Sequence, residues 1–170
     1  MTTPARPIAF LLGSDSDLPV LESAFSTLRE LGVGFHVRIL SAHRTPDEAG
    51  EFARNAKANG VRVLIGVAGM AAHLAGALAA HSPLPVIGVP VDSGPLRGED
   101  ALLSTAMMPP GVPVAATGIG TAAARNAALF AARILALSDP ALATKVDGAR
   151  AAERDKTLAK DREVRARFGC

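Results

Sequence analysis

Residues 8–31, IAFLLGSDSDLPVLESAFSTLREL, place an apolar run of strand length directly before an amphipathic helix pattern. The run IAFLLG (8–13) contains no polar side chain. After the turn, large apolar residues recur at three- and four-residue steps, as on one face of a helix: Leu18, Leu21, Phe25, Leu28 and Leu31. An apolar strand that leads into a helix is typical of a parallel sheet covered on both faces.

The rest of the chain repeats this strand–helix unit. Further strand-length apolar runs occupy residues 35–40, 61–68, 85–90 and 112–117, and helix-compatible segments occupy 46–59, 70–81 and 120–137. Strands that alternate with helices in this way predict an α/β fold with a central parallel sheet of about five strands. We expect residues 91–111 to form a long loop at a functional site or at a subunit contact, because loops of that length in compact domains usually have a function.

The composition changes at Ser138-Asp139-Pro140, where Asp139 is suited to cap a helix and Pro140 to begin it. This predicts one α/β catalytic domain at residues 1–138 and a helical extension at 139–170. The extension is charged and has only a sparse apolar stripe. We therefore expect this helix to pack on a neighbouring subunit.

Charge and cysteine content narrow the function classes. The formal net charge is only +2 over 170 residues, which gives no electrostatic case for nucleic acid or an anionic membrane as partner. The single cysteine, Cys170, excludes an intramolecular disulfide and favours a cytoplasmic location. The first ten residues, MTTPARPIAF, contain neither a signal-peptide core nor a membrane span.

Polar and flexible residues are concentrated just after the predicted strands, in GSDSD, SAHRTP, AGMAAH, VDSGPLRGED and TGIG. In open parallel sheets, ligands bind beyond the carboxyl ends of the strands, where the loops converge. The sequence therefore predicts a ligand site at this edge of the sheet.

The first of these loops, GSDSD (13–17), has two interpretations. Ser14, Ser16 and Asp17 are able to cap the following helix, and the free backbone N–H groups there also suit a phosphate. Asp17 would repel a phosphate at close range, so we expect it to accept hydrogen bonds from ribose hydroxyls. The chain has neither a Gly-x-Gly-x-x-Gly loop nor a Walker-type Gly-Lys-Ser/Thr, so no nucleotide cofactor is indicated.

The second loop, SAHRTP (41–46), carries His43 beside Arg44. A histidine titrates near neutrality and can both donate and accept a proton within one turnover, and an arginine matches a phosphate or a carboxylate. Taken alone, the loop fits a capping histidine with a solvated arginine better than it fits a catalytic pair. His73 is a second candidate, or else a structural histidine in a buried helix. The histidines lack close metal-binding spacing, so no metal site is expected.

Together, GSDSD, SAHRTP, AGMAAHLAG, PVIGVPV…LRGEDALLS…MPPGVPVA and the segment from Gly118 to Leu137 resemble the class I N5-carboxyaminoimidazole ribonucleotide mutases of de novo purine biosynthesis. The resemblance extends from about Ile8 to Leu137. It implies a three-layer α/β/α sandwich that assembles as a homo-octamer, with the C-terminal helix reaching a neighbour. It also implies an enzyme without metal or organic cofactor that moves a carboxylate from the exocyclic nitrogen to ring carbon 4, with CO₂ as an enclosed intermediate.

The resemblance implies roles for individual residues. His43 is the general acid and base, while Ser14, Asp17 and Arg44 contact the ribotide with support from Ser41. The remaining residues are expected to line the carboxylate or CO₂ region: Gly69, Ala71 and His73.

Four residues depart from the family pattern: Met70 for a usual glycine, Ala75 for a usual proline, Ala101 for a usual serine and Met107 for a usual glutamine. They leave open a paralogue with an altered substrate. Three other functions also stay open: a carboxylase that acts on aminoimidazole ribonucleotide with free CO₂, a flavodoxin-type binding module, and a non-catalytic oligomer or ribotide-binding module. Arg44 and Pro46 fit the mutase class better than the carboxylase class. The lack of Trp and Tyr disfavours a flavin site.

Overall fold

A computed structural model describes residues 5–169 and shows five parallel strands with helices on both faces. Cys170 lies outside the described residues. Along the chain the elements are β1 (Ile8–Leu12), a 3₁₀ helix (Asp15–Leu21), α1 (Glu22–Leu31), β2 (Phe35–Ile39), α2 (Pro46–Ala56), β3 (Val63–Gly69), α3 (Leu74–His81), β4 (Val86–Val91), α4 (Glu99–Ala106), β5 (Ala115–Ala116), α5 (Gly120–Ala136) and α6 (Pro140–Phe168).

The strand order is β2-β1-β3-β4-β5, and every neighbouring pair is parallel. This is the flavodoxin-like order, in which the chain reverses its direction of winding between β1 and β3. The loops after these two strands therefore diverge to opposite faces and leave a crevice between them. The predicted α/β class and the parallel sheet of five strands are confirmed.

Two apolar clusters, one on each face of the sheet, form the core. Alternate residues of β1 divide between them: Ile8, Phe10 and Leu12 face α1 and α5, whereas Ala9 and Leu11 face α2 and α3. Because both faces of β1 are covered, all five of its residues are buried, which explains why the run has no polar side chain.

The structure differs from the predicted helix before Leu21. A helix was expected from residue 18, but the α-helical part begins at Glu22, after a 3₁₀ segment that contains Pro19. Proline lacks the backbone N–H that a continuing helix needs, and the short, tighter 3₁₀ form accommodates it. The helix predicted over 70–81 likewise begins only at Leu74.

Residues 91–111 were expected to be a loop, and this is wrong for Glu99–Ala106, which form α4. Gly98 precedes the helix with a left-handed φ of 83°, and the hydroxyls of Ser104 and Thr105 donate to carbonyls four residues earlier. The glycines and prolines on either side concealed this short helix in the sequence.

The apolar packing of the last helix, α6, on the body is confined to its first turns. Asp139 caps it, accepting a hydrogen bond from the Leu142 N–H at 3.0 Å, as predicted. Leu142 and Val146 join the core of this chain, whereas almost every residue after Ala149 is exposed. No helix among residues 5–169 is long and apolar enough to cross a membrane.

Candidate active site

A cavity of about 510 Å³ opens at the carboxyl ends of β1, β2 and β3, at the crevice where the winding reverses. Its wall includes all eight residues that the sequence singled out: Ser14, Asp17, Ser41, His43, Arg44, Gly69, Ala71 and His73. These residues come from three separate loops, so their meeting in one cavity follows from the sheet topology.

The Gly13–Asp17 turn both caps a helix and lines the cavity. The Ser14 hydroxyl accepts a hydrogen bond from the Ser16 N–H at 3.3 Å, and the Ser14 N–H donates to the Asp17 carboxylate at 3.1 Å. This reciprocal pair is a capping box, which fixes the turn. The two interpretations of this loop therefore do not exclude each other.

Asp17 is a buried carboxylate, only 7% exposed, at the inner wall of this cavity. Burial raises the pKa of Asp17 above its usual value, while the Ser14 N–H and the Arg44 guanidinium act in the opposite direction. Because burial has the larger effect, the charged carboxylate is incompletely compensated. An acceptor of this kind gains from hydroxyl donors that a ligand brings.

The turn that carries His43 is held by its own side chains. The Thr45 hydroxyl accepts from the Ser41 N–H at 2.8 Å, and the Ser41 hydroxyl accepts from the N–H groups of His43 and Arg44 at 3.3 and 3.2 Å. α2 begins directly afterwards at Pro46. Sequence reasoning had given Thr45 no role, although a hydroxyl residue before a helix-starting proline is a recognisable signal.

Arg44 connects the first two loops. Its guanidinium donates a hydrogen bond to the Gly13 carbonyl oxygen, and the residue is otherwise exposed at the cavity wall. A guanidinium has five N–H donors, so most of them stay available to an anion. The arginine is thus oriented by the protein and still able to bind a ligand.

The two histidines of the cavity are hydrogen-bonded to each other. His43 Nε2 lies 3.2 Å from His73 Nδ1, and the ring centroids are 5.3 Å apart. One of these nitrogens must donate and the other accept, so a proton is held between the two rings. The alternative of a structural histidine in a buried helix is wrong for His73, which is exposed and precedes α3.

The loop after β3 depends on close contacts with the loop after β4. A Cβ atom on Gly69 would overlap the Ser93 hydroxyl, so any larger residue there would displace the Ser93 side chain. The next residue, Met70, has a φ of 55°, in the left-handed region that favours glycine. For an L-residue with a side chain this conformation costs about 1–2 kcal/mol.

Met70 and Ser93 line the cavity but were not among the predicted site residues. Ser93 is the second residue after β4, so its position just beyond a strand was a usable signal, which the interpretation of residues 91–111 as one long loop obscured. Met70 stood out only as a departure from the family pattern, and its left-handed backbone explains why glycine is usual there.

The other three departures lie outside the cavity wall. Ala75 is buried in the first turn of α3, where it packs closely on Gly66 of β3. Ala101 is fully buried in α4, and Met107 is 78% exposed. Across residues 5–169 no group of three or more His, Cys, Asp or Glu side chains could hold a metal ion.

The geometry defines an α/β protein with a flavodoxin-like strand order, whose site combines a histidine pair, a buried carboxylate and an arginine at the crevice between β1 and β3. The sequence profile of the AIR carboxylase family matches residues 7–156. The chain belongs to this family.

Individual relatives agree with this membership. An N5-carboxyaminoimidazole ribonucleotide mutase of Brucella melitensis is 52% identical over 148 residues, which cover 87% of this chain and 91% of the relative. A protein of the same name from Methanocaldococcus jannaschii is 47% identical, with 95% and 99% covered. The crystal structure of Treponema denticola PurE is 29% identical and superposes with a TM-score of 0.82, covering 92% of this chain and 96% of that one.

Proposed function

We propose that this protein is an N5-carboxyaminoimidazole ribonucleotide mutase, which forms 4-carboxy-5-aminoimidazole ribonucleotide in purine biosynthesis. The observation that carries the proposal is the meeting of His43 and His73, at 3.2 Å, in the same cavity as Asp17 and Arg44. Such a site has a proton donor and acceptor, a hydroxyl-binding carboxylate and an anion-binding arginine. A ribotide with a carboxylate needs all of these groups.

His43 performs both proton transfers in this mechanism. Its protonated ring donates to the exocyclic nitrogen of the carbamate, the carbon–nitrogen bond breaks, and CO₂ is released beside the aminoimidazole. Carbon 4 of the ring then attacks CO₂ and forms the new carbon–carbon bond. The proton that carbon 4 loses returns to His43, so the histidine is reset without any other reactant.

The other site residues bind the ribotide and confine the CO₂. Arg44 pairs with the phosphate, supported by the capped Ser14 turn, and Asp17 accepts hydrogen bonds from the ribose hydroxyls. Gly69, Ala71 and His73 enclose the CO₂, and the small size of the first two leaves room for it. Ser41 acts indirectly, since its hydroxyl orders the backbone of His43 and Arg44.

The assembly and location are part of the same proposal. The exposed second half of α6, which carries Leu158, Val164 and Phe168, is suited to contact a neighbouring subunit, consistent with a homo-octamer. On this view residues 1–138 form the catalytic domain and 139–170 an extension that serves assembly. The reaction belongs in the cytoplasm with the rest of the pathway.

The test is consumption of 4-carboxy-5-aminoimidazole ribonucleotide by the purified protein, which runs the reaction in reverse from a stable substrate. The forward reaction is then started in two ways: from preformed N5-carboxyaminoimidazole ribonucleotide in CO₂-free buffer, and from aminoimidazole ribonucleotide with freshly added CO₂, before the carbamate has formed. A mutase acts at once only on the carbamate, whereas an immediate rate from aminoimidazole ribonucleotide and CO₂ identifies the carboxylase instead. No consumption by the folded protein refutes the catalytic proposal and leaves a ribotide-binding module.

A further inference from the structure

Met70 lies at the rim of the cavity with an unfavourable backbone. Its φ of 55° and that of Arg97, 50°, are the two positive values at non-glycine residues between positions 5 and 169. Glycine would remove the strain at either position. Because glycine would be less strained at position 70, the presence of a methionine side chain there points to a role for that side chain at the site.

The side chain of Met70 lies close to a second loop. Met70 is one of the residues that line the cavity, and it lies between Gly69 and Ala71 on the loop after β3. A Cβ atom built on Gly94 would be 3.6 Å from Met70 Cγ, so the methionine stem lies near the Ser93–Gly94 turn after β4, with room for about one methyl group between them. At the preceding position, Gly69 is in close contact with Ser93. Gly69 and Met70 therefore bring the loop after β3 up to the turn after β4.

We infer that Met70 forms an apolar wall of the cavity that retains CO₂ between its release and its recapture. The inference rests on the proposed function. CO₂ is small and uncharged, so polar contacts cannot hold it, and retention depends on closing the exits around it. A thioether chain is flexible and apolar, and it fills an irregular gap between two loops well. Met70 is 56% exposed without a ligand, so a bound ribotide has side-chain surface left to cover.

The test follows isotope exchange in the reverse reaction. Substrate labelled with ¹³C in its carboxylate is converted partway in unlabelled bicarbonate, and the residual substrate is analysed by mass spectrometry. Loss of ¹³C from this unconverted substrate reports CO₂ that left the site and was replaced from solution. We expect the Met70→Ala and Met70→Gly variants to exchange at least about fivefold more per turnover than the wild type, and Met70→Leu to match the wild type.

Thermal unfolding separates the effect of losing the Met70 side chain from the effect of relieving the strained backbone. Met70→Gly removes both and should raise the unfolding midpoint by about 2–4 °C, whereas Met70→Ala keeps the strained φ and should not raise it. Arg97→Gly is the matched control, because Arg97 is exposed and outside the cavity wall. It should raise the midpoint without changing the exchange.

The outcomes distinguish the two proposals. If the wild type does not consume the substrate, the proposed function fails. If the wild type consumes it and Met70→Ala exchanges no more ¹³C than the wild type, the proposed function stands and the role of Met70 is refuted. Increased exchange in Arg97→Gly would also refute that role, since the wall would then not be specific to Met70.

Discussion

The two loops that bring His43 and His73 together are built in opposite ways. The Ser41–Thr45 turn is held by hydrogen bonds within itself, and none of its residues has a positive φ. The Gly69–His73 loop instead depends on the neighbouring Ser93–Gly94 turn and includes the left-handed Met70. One histidine is therefore positioned by local sequence and the other by tertiary contacts. Damage to the first loop should be confined to chemistry, whereas damage to the second should also affect stability.

The largest effect is expected in the self-contained turn. Thr45→Val keeps the shape of the side chain but removes the hydroxyl that bonds to both the Ser41 N–H and the Ser41 carbonyl. We expect kcat/KM to fall about 100-fold, because a displacement of His43 by as little as about 1 Å disrupts proton transfer. Steady-state kinetics measures this loss.

Thr144→Val is the control for this change, since the Thr144 hydroxyl also donates to a carbonyl four residues earlier, but on α6. Its kinetics should equal those of the wild type. A Thr45→Val enzyme with unchanged kcat/KM would show that the hydroxyl network does not position His43.

The next largest effect is expected in the Gly69–His73 loop, which depends on the neighbouring Ser93–Gly94 turn. Gly69→Ala introduces a Cβ atom where the Ser93 hydroxyl lies, so the Ser93 side chain must turn away and the crowded contact between the two loops must widen. We expect a loss of about 2 kcal/mol in the free energy of unfolding, together with reduced activity.

Gly13→Ala is the matched control on the same edge of the sheet. A Cβ atom there would be no closer than 3.7 Å to its neighbours, which is ordinary contact. Denaturant unfolding should show a change within about 0.5 kcal/mol for this variant. Equal destabilisation by the two alanines would contradict the proposed dependence of the second loop on Ser93.

The smallest expected effect is at Asp17, which belongs to neither histidine loop. Asp17→Asn keeps an oxygen acceptor for the Ser14 N–H but removes the charge, and we expect KM for the ribotide to rise about tenfold. Burial raises the pKa of Asp17, so the folded state holds its proton to a higher pH than the unfolded state does. Stability of the wild type should therefore fall as the pH rises from the usual carboxyl range through the raised pKa.

Denaturation midpoints of the wild type and Asp17→Asn measured against pH provide the check. The variant should be the more stable protein at neutral pH, and the difference should disappear in acid, where Asp17 is protonated in both states. A variant that is less stable at neutral pH would mean that the interactions with Ser14 and Arg44 outweigh the effect of burial.

The same contrast explains how much the sequence could predict. The apolar strand runs predicted the sheet, and the loops after the strands, matched to the family pattern, supplied all eight residues that meet in the cavity. Both signals are local. The contact between Gly69 and Ser93 joins loops that follow different strands, so no local pattern contains it. Thr45 had a local signal that was overlooked, whereas the glycines and prolines on either side concealed α4.

β5 shows the limit of strand prediction. A strand was expected over 112–117, but only Ala115–Ala116 pair with β4, at Ile87 and Gly88. Pro113 lacks the N–H that pairing requires, and a turn ends just before it. Apolar composition alone could not reveal where pairing begins.

The central claim is that His43 carries the proton in both directions. The most direct test compares wild type and His43→Asn in two measurements: turnover of 4-carboxy-5-aminoimidazole ribonucleotide, and binding of the same ribotide by calorimetry. Asparagine preserves polarity and approximate size but cannot cycle a proton near neutral pH. The account predicts that turnover falls below detection while the dissociation constant changes by less than about tenfold. Turnover near the wild-type rate would contradict it and remove His43 from the mechanism.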